Sequence, residues 1–193
     1  RVLQCFTDAA ARYIGNPNSN HPAGLAAKAA IDAASGSIAA VLGVQPDEII
    51  YTSGASESNN TAIRGILHAS RHIGRHVLTT PLEHPSVSGC LTAAMERGYE
   101  IEMLSVGRDG KIDPEEVREL LRPDTVLVTL PAVDSELGIV QPVREVARVL
   151  RGAAHCCLHV DATQAIGKLP FSFDGVDTAS FAPHKFGGIV GSG

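Results

Sequence analysis

Thr125-Val126-Leu127-Val128-Thr129-Leu130, then Val143 to Arg151, then Cys157-Leu158-His159-Val160 read as strand, helix and strand. The alternation extends outward from there. Upstream, His76 to Thr80 and Glu100 to Ser105 read as strands and Ser86 to Arg97 as a helix. Asp113-Pro114-Glu115-Glu116 opens another helix, with Asp113 a good N-cap and Pro114 a good first residue. Further upstream, alanine-rich Ala23 to Leu42 predicts a helix closed by Gly43. Glu48 to Thr52 predicts a short strand, Ser53 to Ser56 a turn, and Glu57 to Ile73 a helix with Ala62, Ile63, Ile66 and Leu67 on one side. Downstream, Thr178 to Phe181 predicts a final strand. Such alternation implies an α/β, three-layer fold with right-handed crossovers and a mostly parallel sheet covered on both faces.

The totals agree with one domain. The chain has 193 residues, 44% of them hydrophobic, enough for a core. The net charge of −5, with acids and bases interspersed, argues against a nucleic-acid face or a polybasic membrane patch. No apolar run is expected to reach the roughly 20 residues of a membrane span, and no signal-peptide pattern opens the chain. Cys5, Cys90, Cys156 and Cys157 form no disulfide framework, which favours a reducing compartment. Arg1 stands in what reads as mid-helix and Gly193 follows a glycine-rich run, so a fragment of a longer protein is expected.

In parallel sheets ligands bind beyond the carboxyl ends of the strands. Thr52-Ser53-Gly54-Ala55-Ser56-Glu57-Ser58 runs into a helix and has the makings of a phosphate cradle; an ordinary N-cap by Ser53 or Ser56 is the plainer alternative. His84, in Pro81-Leu82-Glu83-His84-Pro85, could stack on a ligand, move protons or be a solvated loop residue. Asp134-Ser135-Glu136-Leu137-Gly138 is a polar turn. Asp161 ends an apolar strand and needs a partner if buried, such as a cationic ring nitrogen. Lys185, in Ala182-Pro183-His184-Lys185-Phe186-Gly187-Gly188, could form a Schiff base. In His155-Cys156-Cys157-Leu158-His159 strand alternation puts Cys157, His159 and Asp161 on one face and Cys156 on the other, and with no second ligand cluster at zinc-like spacing a packed strand is favoured over a metal site.

Thr52 to Asn60, Glu83-His84, Glu136-Leu137-Gly138, His159 to Gln164 and His184 to Gly188, in that order, resemble the cysteine desulfurase (NifS-like) branch of the class V aminotransferase family. Gly15 to His21 looks like that family's loop near the active-site entrance. The resemblance implies a fold-type I large domain over residues 1–193, lacking the opening strand and the C-terminal small domain. It implies that Lys185 holds pyridoxal 5'-phosphate and moves protons, that Asp161 pairs with the pyridine nitrogen, and that His84 stacks on the ring. It also implies that Gln164 reaches the ring's phenolic oxygen, with Ser135 near it, and that Ala55, Ser56 and His184 hold the phosphate.

The reaction so implied takes L-cysteine to L-alanine and leaves sulfur on a cysteine outside this chain. A homodimer follows by the same resemblance, which also leaves room for a sulfur-acceptor protein; the cysteine usage points to a cytoplasmic location, with an organellar one open. Ser135 stands where the family usually has Asn, Ala182-Pro183 where it has Ser-Gly, and Ile189-Val190-Gly191 follows Gly188 directly. Another class V enzyme (a selenocysteine lyase, a cysteine C–S lyase or an aminotransferase) and a non-catalytic scaffold domain stay open as alternatives.

Overall fold

The computed structural model describes residues 1–153 and 155–193. Helix α1 spans Val2–Arg12 and α2 Pro22–Leu42. The His21 ring caps α2 by accepting from Gly24 N–H at 3.1 Å, and Gly43 ends it at φ 72°, a left-handed conformation that glycine adopts without strain. At 21 residues α2 is long and apolar enough to cross a membrane by length and composition, contrary to the expectation that no run would be. Its apolarity comes mostly from alanine, and the Lys28–Asp32 ion pair interrupts it at 3.4 Å.

The strand expected at Glu48–Thr52 does not form. Pro46–Glu48 is a single 3-10 turn, and Ile50 and Tyr51 beyond it are exposed. A strand needs a ladder partner for its backbone groups. Thr52 has one, exchanging two bonds of 2.9 Å with Gly193. Gly193 lies so close to Gly54 that a Cβ on it would sit 2.5 Å from the Gly54 Cα.

Helix α3 covers Ala55–Ala69 and buries Asn59, Ile63 and Leu67, one residue per turn, on one face. Then follow β1 (His76–Thr79), α4 (Pro85–Met95), β2 (Glu100–Met103), α5 (Pro114–Leu120), β3 (Thr125–Pro131), α6 (Val143–Leu150), β4 (Cys157–Asp161) and β5 (Thr178–Ser180). Asp113 caps α5 as expected, accepting from Glu115 N–H at 2.9 Å.

The described strands form one sheet in the order β2-β1-β3-β4-β5, with every pairing parallel. Alternate residues face opposite layers. Val128, Leu130, Leu158 and Val160 join the core that includes Val117 of α5 and Val146 and Leu150 of α6. Val77 and Leu127 join Ile63, Leu67, Val87 and Leu91 from α3 and α4. This is the three-layer α/β arrangement that the sequence predicts. The chain goes outward from β1 to β2 on one side and from β3 to β5 on the other. The loops after β1 and β3 therefore diverge, which opens a crevice between them.

Candidate active site

Asp161 is the last residue of β4 and only 7% exposed. Its Oδ1 accepts from Thr163 N–H at 3.0 Å and its Oδ2 from Asn59 Nδ2 at 2.8 Å. Asn59 is fully buried in the second turn of α3. It also donates to Ser86 Oγ at 2.9 Å, while its Oδ1 lies 3.0 Å from His159 Nε2. The other nitrogen of His159 meets Thr178 Oγ1 at 2.8 Å. Burial pushes the His159 imidazole down to about 4, with Asp161 opposing, so the ring is neutral. Both of its nitrogens are occupied, which leaves none for a metal.

His84 is the N-cap of α4, its Nδ1 accepting from Ser86 N–H at 3.1 Å and lying 2.8 Å from Ser86 Oγ. The ring itself is exposed. Its neighbour Glu83 crosses the crevice to β3, where Thr129 Oγ1 donates to Glu83 Oε1 at 2.7 Å. Glu83 retains some surface, but its Oε2 is sealed from solvent and has no partner. Burial raises this carboxyl to about 8, and nearby Asp161 adds to the rise. A neutral acid results at neutral pH.

The first turn of α3 has no side-chain cap. Gly54 occupies the N-cap position, and Ser53 is not available, since its N–H and Oγ both donate to Glu57 Oε2 at 2.7 Å. Those two bonds hold the Glu57 carboxyl below its ordinary value. The plainer alternative, capping by Ser53 or Ser56, is thus replaced by an open helix start at Ala55 and Ser56, whose N–H groups suit an anion.

Lys185 and His184 are exposed in a 3-10 turn, Pro183–Phe186, that follows β5. Ala182 is buried at its start, and Pro183 takes the first helical position. Gly188 closes this turn, donating to Pro183 O at 2.8 Å in a space that no Cβ could share. Gln164 is half-buried, and its Oε1 accepts from Lys168 Nζ. Ser135 is exposed on the turn that Asp134 braces by accepting from Leu137 N–H at 2.6 Å. The hydrogen bonds of the Gly15–His21 loop stay local.

Four buried side-chain oxygens have no partner among the described residues: Thr79 Oγ1, Glu83 Oε2, Thr163 Oγ1 and Ser180 Oγ. All four lie at or just beyond the C-terminal ends of strands. Buried polar atoms are ordinarily satisfied, so their gathering at one end marks where a polar group belongs.

The family model described as aminotransferase class-V matches residues 1–193. This chain belongs to the class V aminotransferase family. The class V family is pyridoxal phosphate-dependent. A cysteine desulfurase IscS of Anaeromyxobacter sp. (strain K) is 38% identical over 196 residues, covering all of this chain and 48% of the relative. A solved structure named as a NifS-like protein superposes with a TM-score of 0.94 at 36% identity, over all of this chain and 53% of that one. A structure described as SspA in complex with cysteine gives 0.92 at 34%, over 99% and 55%. The chain thus spans about half the length of the class V relatives it matches.

Sequence reasoning singled out the ends of this candidate site and missed its middle. Asn59, Ser86, His159, Glu83 and Thr129 tie the site together, yet none was a candidate for a role there, His159 having been weighed only as a metal ligand. Asn59, Glu83 and His159 do stand inside the quoted motifs, and a polar residue on the apolar face of α3 was the available signal.

Proposed function

We propose that residues 1–193 form the cofactor-binding large domain of a pyridoxal phosphate-dependent cysteine desulfurase. The observation that carries this reading is the buried Asp161 carboxylate at the end of β4, tied by Asn59 to α3 one turn from its uncapped start. A helix start that accepts an anion, and a carboxylate held by Asn59 one turn further along the same helix, suit the phosphate and the ring nitrogen of one cofactor. The unpartnered oxygens at the strand ends and the Lys185 turn beyond β5 complete a donor and acceptor set that fits the group.

In this reading Ala55 N–H, Ser56 and His184 hold the phosphate. Asp161 pairs with the ring nitrogen, and a fixed negative charge there keeps that nitrogen protonated. His84 lies against the ring, while Gln164 and Ser135 face its phenolic oxygen. Lys185 would be the attachment point, and its Nζ, once free, would take a proton from the substrate and return it. The bound cofactor supplies the electron sink that lets substrate bonds break.

L-cysteine is the proposed substrate, with L-alanine as product and sulfur passing to a cysteine outside this chain. Burial pushes the Cys156 thiol up to about 12 and raises Cys157 as well, so neither offers a thiolate. A sulfur-acceptor protein and a homodimer belong to the same proposal; Val2, Leu3 and Phe6, exposed on α1, support a partner surface. Free thiols at Cys5, Cys90, Cys156 and Cys157 support a reducing, cytoplasmic or organellar setting. The test is to give the full-length protein L-cysteine and a reductant and to measure alanine. Many alanines per protein are expected; none, with the cofactor bound, would overturn the reading.

A further inference from the structure

Hydrogen-bond direction can be followed outward from Asp161, because a carboxylate only accepts. Asn59 must present its amide nitrogen to Asp161 Oδ2, which fixes the amide orientation. The second amide hydrogen then goes to Ser86 Oγ at 2.9 Å. The amide oxygen is left to accept from His159 Nε2, so His159 carries its proton there and accepts at Nδ1 from Thr178 Oγ1. Ser86 Oγ, having accepted from Asn59, has one hydrogen to give, and His84 Nδ1 lies 2.8 Å away. Ser86 N–H points at the same nitrogen from 3.1 Å. Two donors therefore converge on His84 Nδ1.

We infer that neutral His84 is locked as the Nε2–H tautomer by a chain running from Asp161 through Asn59 and Ser86, so that it faces the site as a hydrogen-bond donor. Asn59 and Ser86 are then positioning residues. On the proposed cofactor-binding reading, the two groups bracketing the ring are one connected unit. The consequence is a division of labour. Neutral His84 has no free lone pair at Nε2 to take a proton, so abstraction from the substrate falls to Lys185, and His84 holds an oxygen or sulfur acceptor.

The test is nitrogen-15 NMR of the full-length protein labelled at histidine, read through two-bond couplings that separate Nδ1 from Nε2. Spectra are taken without the cofactor and after adding pyridoxal phosphate. The expected result is that the neutral form of His84 carries its proton at Nε2 in both. A proton on Nδ1 would overturn the inference. In Asn59→Asp a carboxylate replaces the amide, Ser86 Oγ turns its hydrogen toward it, and the Nε2–H share should fall. Ser86→Ala, at a half-buried position, removes the hydroxyl and should lower the share too, which keeps the test sharp if Asn59→Asp does not fold. An unchanged share in a folded variant would break the chain. Failure of the cofactor's absorption band to appear would sink the functional reading and leave the tautomer result standing.

Discussion

Glu83 and His159 titrate on opposite sides of neutrality. Glu83 is raised from 4.5 to about 8, so the folded protein holds its proton after the unfolded chain has lost it. Its contribution is fully present below pH 4.5 and is lost as pH rises toward 8. His159, lowered from 6.5 to about 4, contributes above 6.5 and is lost as pH falls toward 4. Glu83→Gln should therefore flatten the alkaline decline in stability, measured by denaturant unfolding across pH 5 to 9; an unchanged slope would mean Glu83 is ionised. Asp161→Asn should keep the cofactor bound through the phosphate contacts, yet lower turnover by at least about a hundredfold, roughly 2.7 kcal/mol of barrier. Near-normal activity would reduce Asp161 to a structural role. Lys185, His84 and Asp161 stood out as candidates in the sequence because each lies at or just beyond the end of a strand in a fixed order of motifs. Asn59 was not, because a helix-interior Asn gains meaning only when α3 lies over β4 and puts it within 2.8 Å of Asp161.

Elements were legible where local chemistry decides them. Asp113-Pro114 starts α5, Gly43 ends α2, and apolar runs in β1, β3 and β4 lie where expected. Asp113→Ala removes one cap bond and should cost about 1 kcal/mol of stability while leaving cofactor binding intact. A larger loss, seen by denaturant unfolding, would mean that Asp113 does more than cap. Residues 48–52 failed as a strand because β structure depends on a neighbour that composition does not reveal. The open start of α3 was hidden for a related reason: Ser53 looks like a cap, but its N–H and hydroxyl are both taken by Glu57.

At the scale of the molecule, the parallel sheet was legible from alternation alone, and its strand order was not, because order depends on which strands pair. That order puts the crevice between β1 and β3, where Glu83 meets Thr129 and Asp161 stands one strand further on. A chain of residues 1–193 supplied with pyridoxal phosphate and L-cysteine should release no more than stoichiometric alanine, since burial disarms Cys156 and Cys157. Excess alanine would require Cys5 or Cys90 to act as nucleophile. The central claim is that this sheet end holds the cofactor at Lys185. Borohydride reduction of the full-length protein with pyridoxal phosphate bound, followed by peptide mapping, tests it most directly. The label should fall on Lys185; a label on Lys168, which already reaches Gln164, or on any other lysine would contradict it.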